Sequence, residues 1–144
     1  MIYKYTNDKK GLQVMKNEKD ASLIWSDRKR TLFGLPWSFT RYFLYENKLI
    51  IDTGFFSRRE EEIRLYRIMD ITLKRSLEER LFGLGTIHCC SGDKTAPEFD
   101  IKRIKLPREV KERLSDMVEV ERSRRRVGMR EYMDSDIDGE EEIH

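Results

Sequence analysis

The sequence has no apolar run that approaches the roughly 18–20 residues a helix needs to span a bilayer. Its first 20 residues are polar with scattered lysines and contain no signal-like apolar block. Both absences predict a cytoplasmic protein. Cysteine is confined to the neighbours Cys89 and Cys90, which a strand would point to opposite faces, so an internal disulfide is not expected. There are only two histidines, His88 and His144, against the four ligands a structural zinc site usually takes; His88 and Cys90 would share a strand face, but no metal is expected. Neither cysteine has a histidine and an acid in a recognisable arrangement for nucleophilic catalysis. Glycine is too sparse for a phosphate-cradling loop: Gly83-x-Gly85 lacks a third glycine and a following helix. With 29 basic and 27 acidic residues, net charge selects no partner.

Carboxylates are plentiful, at Glu60 to Glu62, Glu78, Glu79 and Asp100. Acid/base chemistry needs two of them held in a cleft in different environments, and charge runs of this kind read as solvated faces. The sequence therefore predicts a protein that is not an enzyme and uses no cofactor.

What is present is a pattern of period two. A chain of 144 residues makes one domain, and the composition divides it into a polar extension over 1–19, a domain over 20–121, and a basic then acidic tail over 122–144 expected to be disordered. The extension reads as a frayed end or an added edge strand. From Ala21, Leu23 and Trp25 fall on one side of a first strand. Phe39 to Tyr45 alternates as a second, Glu46-Asn47-Lys48 turns, and Leu49 to Thr53 is a third. Gly54 supplies a bend or bulge. Ser57 to Leu65 is a partly exposed fourth strand; the fifth starts at Ile68 and puts Met69, Ile71 and Leu73 on one face. Ser76-Leu77-Glu78-Glu79 spells a capping box for a single helical turn, which Gly83 and Gly85 stop. Thr86 to Ser91 and Glu98 to Arg103 complete seven strands.

The period then changes. Pro107 suits the first turn of a helix, and Val110, Leu114, Met117 and Val118 make one apolar stripe that fades beyond Glu121. Seven short strands and a carboxy-terminal amphipathic helix predict a mainly β protein, a sheet curled on itself with the helix plugging the open end.

Several stretches also carry a resemblance: Tyr42-x-Leu44, Leu49-x-Ile51-x-x-Gly54, Ile63-x-Leu65-x-x-Ile68-x-x-Ile71, and Arg80-Leu81-Phe82-Gly83-Leu84-Gly85-Thr86-Ile87. In this order they resemble the bacterial pleckstrin-homology-like (PH-like) family, once catalogued as a domain of unknown function, over roughly residues 20–120. The resemblance implies a seven-stranded split barrel of two antiparallel sheets capped by the helix. Many relatives carry membrane-spanning helices before the domain; this sequence shows none, so membrane residence is not carried over.

The loop over 27–38 holds the candidate site. Arg28, Lys29 and Arg30 precede Leu32, Phe33, Leu35 and Trp37, and four large apolar residues in a loop must fold back or meet something. In the leading reading this loop, or an exposed edge strand, pairs with a protein or a second copy of the chain. In the alternative, the cations hold the phosphates of anionic lipid while the apolar residues enter the interface. The resemblance bears on this both ways: in eukaryotic PH domains the loop after the first strand is the usual phosphoinositide site, whereas bacterial relatives generally lack that lipid. Trp37 could instead belong to the second strand's core. Nucleic acid, through Arg122, Arg124 to Arg126 and Arg130, ranks last, because arginines ending a helix favour its negative pole and no reading motif accompanies them.

Overall fold

The computed structural model describes residues 22–31, 34–35 and 37–138, with side chains through 133. The extension over 1–19, the loop residues Leu32 and Phe33, and the last residues of the acidic tail lie outside the described residues. Seven strands follow one another: β1 Leu23–Arg28, β2 Arg41–Tyr45, β3 Lys48–Thr53, β4 Arg59–Arg64, then a 3-10 turn Leu65–Arg67, β5 Ile68–Lys74, α1 Leu77–Leu81, β6 Leu84–Ser91 and β7 Glu98–Lys105. The helix α2 spans Pro107–Asp138. The strands form two antiparallel sheets, β1-β2-β3-β4 and β5-β6-β7, and not one closed barrel.

Both sheets turn their period-two apolar faces inward. Tyr42, Leu44, Leu49, Ile51 and Ile63 meet Ile68, Ile87, Cys89, Ile101 and Ile104, and Val110, Leu114 and Val118 of α2 close the end. Cys89 is buried and Cys90 is not, and both are free thiols. The expected capping box is present: Ser76 Oγ accepts from the Glu79 amide, and Glu79 accepts from the Ser76 amide. Glu79 also accepts from Thr86 Oγ1 at 2.6 Å. Burial works to raise its carboxyl, but these bonds from Thr86 and Ser76 prevail and hold it below the ordinary value.

Four expectations are corrected. Met69 is 63% exposed, because a register shift between Ile68 and Asp70 lets it escape the face of Ile71 and Leu73. A second shift, between Leu23 and Trp25, leaves Leu23 exposed while Trp25 packs on the core. Phe39 lies before β2, not in it. The helix does not stop near Glu121 but continues through the basic segment to Asp138. The ion pairs Glu119–Arg122 and Glu121–Arg124, each spaced i,i+3, support it where the apolar stripe has gone.

Tyr42 links the two sheets, its hydroxyl oxygen accepting from the Lys102 amide at 3.0 Å. Burial pushes its phenol from 10.0 to about 12, against the lowering effect of that bond; burial, with the nearby Asp100 charge, pushes the Cys89 thiol from 9.0 to about 12. Both groups are held neutral in the folded chain, so the unfolded chain loses these protons first. The contribution of these two groups should be flat below about pH 9 and fall as pH rises from there towards about 12, each adding a slope of about 1.4 kcal/mol per pH unit within its window. Tyr42→Phe should cost about 1 kcal/mol at neutral pH, because the Lys102 amide loses its acceptor, and should make the alkaline fall shallower. Urea midpoints measured from pH 8 to 11 check both.

Candidate functional site

The register of the first sheet gathers two loops at one end. Arg28 pairs with Arg41, and Arg41 with Asp52, so the residues that follow β1, precede β2 and follow β3 emerge together. After β1, the Lys29 amide donates to the Thr40 carbonyl, the Thr31 amide to the Leu35 carbonyl and the Gly34 amide to the Thr31 carbonyl. A Cβ on Gly34 would stand 3.7 Å from the Phe82 side chain, so this loop rests on the turn that follows α1. After β3, Gly54 adopts a φ of 111°, and a Cβ there would fall 1.9 Å from the Ser57 carbonyl oxygen. Only glycine permits so tight a return.

That return throws Phe55 and Phe56 outward. The ring of Phe39 lies 4.7 Å from that of Phe55, which stands edge-on to Phe56 at 4.6 Å. Trp37 is 73% and Phe56 97% exposed, which answers the alternative that Trp37 belongs to the core. Leu35 is also exposed. Large aromatics held together in water are the mark of a contact surface, whereas single exposed apolar residues are ordinary.

The basic triplet behaves differently. Arg30 is 12% exposed on its side chain and turns back to Asp27 at 2.9 Å. It is a structural residue of the loop base. The register sets Arg41 beside Asp52 and Asp52 beside Glu60 at this end, Lys29 and Arg58 adjoin it in sequence, and Arg59 pairs with Glu61 at 2.6 Å. The aromatic group therefore has a rim of both signs.

Of the residues singled out in sequence, the structure places Leu35 and Trp37 on the exposed end and Arg30 beneath it. Phe39, Phe55 and Phe56 belong to the same surface and were not singled out. The available signal was the pair of consecutive phenylalanines after a glycine turn; their meeting with Phe39 depends on the β2–β3 register. Three of the five α2 arginines singled out in sequence are occupied. Arg122 donates to the Ile68 carbonyl, Arg124 pairs with Glu121, and Arg125 stacks on the Tyr66 ring at 4.0 Å.

No helix among the described residues is long and apolar enough to cross a membrane. Neither the curated proteins nor the solved structures searched gave a match. The family profile described as "Bacterial PH domain" matches residues 31–118, more than half of the chain, from the loop after β1 into the packed part of α2. Domains of this kind are generally binding modules. The chain belongs to the bacterial PH domain family.

Proposed function

We propose that the protein is a non-catalytic, cytoplasmic binding module that docks a protein surface, a second copy of the chain among them, through the aromatic end of its first sheet. The observation that carries this is the contiguous exposed group of Phe39, Phe55 and Phe56. A centre of exposed aromatics within a polar rim of both signs is the composition of a protein interface. The free thiols of Cys89 and Cys90 fit a reducing compartment.

Self-association is the form of this reading that needs no knowledge of another partner. Light scattering across a wide concentration range should give a mass that rises above 17.4 kDa for the native chain and stays monomeric for Phe55→Ser/Phe56→Ser. A native chain that remains monomeric at high concentration removes self-assembly. Peripheral binding to anionic lipid is the second reading, favoured by the exposure of Trp37 and Phe56. It is the weaker because Arg30 is committed to Asp27, and polybasic lipid sites usually hold four to eight cations. Sedimentation with neutral and anionic liposomes separates the two. Lys29→Glu and Arg58→Glu are the informative variants, since they leave the Asp27–Arg30 pair in place; charge-dependent sedimentation that both weaken would favour lipid.

A further inference from the structure

The outward face of β6 and β7 carries a group of side chains that the docking surface does not use. Strand alternation buries Ile87 and Cys89 and turns His88 and Cys90 outward. On β7, Asp100 is the cross-strand neighbour of His88 and Glu98 that of Cys90, so the register alone assembles a square of histidine, cysteine and two carboxylates. It sits toward the end of the sheet away from the corner where β7 meets β1.

His88 Nδ1 lies 2.7 Å from Asp100 Oδ1. A carboxylate only accepts, so Nδ1 carries a proton in this pair, and in the neutral ring that tautomer leaves the lone pair on Nε2. That Nε2 is 3.8 Å from Cys90 Sγ, and one ligand atom from each of His88, Cys90 and Glu98 falls within 4.8 Å of the others. With Zn–N of about 2.0 Å and Zn–S of about 2.3 Å, donors on a tetrahedral zinc stand roughly 3.5 Å apart, so the histidine and cysteine are nearly at ligating separation. A carboxylate behind a metal-binding imidazole is the usual support for such a ligand, because it fixes the tautomer and ring orientation.

We propose that His88 Nε2, Cys90 Sγ and the Glu98 carboxylate bind a zinc ion, with Asp100 holding the imidazole from behind and water filling the fourth position. On binding, the Cys90 thiol releases its proton to solvent as the sulfur–zinc bond forms, His88 contributes a lone pair, and no electron is transferred. The donor set selects the ion: nitrogen with sulfur suits zinc, whereas magnesium and calcium take oxygen ligands. Two of the three ligands stand two residues apart on a central strand, so little chain entropy is lost in bringing them together.

The test uses the full chain, reduced and stripped of metal with chelator, then titrated with Co²⁺ and back-titrated with Zn²⁺. One Co²⁺ should bind per chain with a near-ultraviolet thiolate-to-cobalt absorption, which one equivalent of Zn²⁺ displaces. Cys90→Ser should abolish the band, and Asp100→Asn should weaken affinity about 10–100-fold while keeping it. Glu98 is exposed, so Glu98→Gln leaves the fold intact and should also weaken binding. Absence of the band, its survival in Cys90→Ser, or unchanged affinity in Glu98→Gln overturns the assignment.

Discussion

Gly85→Ala should destabilise the protein by about 1–3 kcal/mol, towards the upper end, although the substitution adds a single methyl group. A Cβ at this position would lie 2.6 Å from Cγ and 2.8 Å from Cβ of Pro107, and 3.1 Å from Cγ of Arg75. Arg75 is flexible and can give way, but the Pro107 ring is fused to the backbone and cannot rotate aside. The clash must therefore move the start of α2. The chain enters that helix through Leu106 at a φ of 49°, a conformation with little slack, and Val110, Leu114 and Val118 follow within the core. Gly83, two residues earlier, provides the contrast. Its φ of 67° favours glycine, but no atom lies within 4 Å of a Cβ there, so Gly83→Ala should cost only about 1 kcal/mol of backbone strain. Urea denaturation should rank the two in that order. Gly85→Ala combined with Pro107→Ala should recover part of the loss, a non-additivity that identifies the contact.

Asp27→Ala should cost about 2–3 kcal/mol. Its carboxylate, with a side chain 14% exposed, accepts from the Arg28 amide at 2.8 Å, from Arg30 Nη1 at 2.9 Å and from the Lys105 amide at 3.1 Å. The last of these crosses from the first sheet to the second. The Arg30 amide makes another crossing, donating to the Arg103 carbonyl at 3.2 Å, where β7 is turned by a φ of 51°. Alanine would leave the Arg30 guanidinium without this partner in a half-buried position and release the end of β1. Asp27→Asn, which keeps an accepting oxygen, should lose less. Hydrogen exchange reads the effect directly: amides of β1 should exchange faster in Asp27→Ala, while those of β6 change little.

The sequence and the structure part company for identifiable reasons. Strand order, the change of period at Pro107, the capping box at Ser76 and the opposite facing of Cys89 and Cys90 are local patterns, and local patterns can be read along a chain. The exposure of Met69 needs a bulge that exists only in the pairing of β5 with β6. Beyond its i,i+3 ion pairs, α2 is held past Glu121 by Arg122 reaching the Ile68 carbonyl and Arg125 reaching Tyr66, contacts between residues far apart in the chain. The aromatic end was half legible for the same reason: Leu35 and Trp37 lie in one conspicuous loop, while Phe55 joins Phe39 only through the β2–β3 ladder. The Arg80-to-Ile87 stretch, which carried the family likeness, has a physical basis in the clearance that Gly85 leaves for Pro107.

The two adjacent thiols give the molecule an internal clock. In the reduced chain stripped of metal, Cys90 faces outward, half-buried, and is the thiol that an alkylating reagent reaches first, whereas Cys89 lies in the core with its thiolate made scarce by burial. Labelling of the first counts molecules; labelling of the second waits for the sheet of β5, β6 and β7 to part. The delay between two neighbouring residues thus measures how often the interior opens, without any probe having been added.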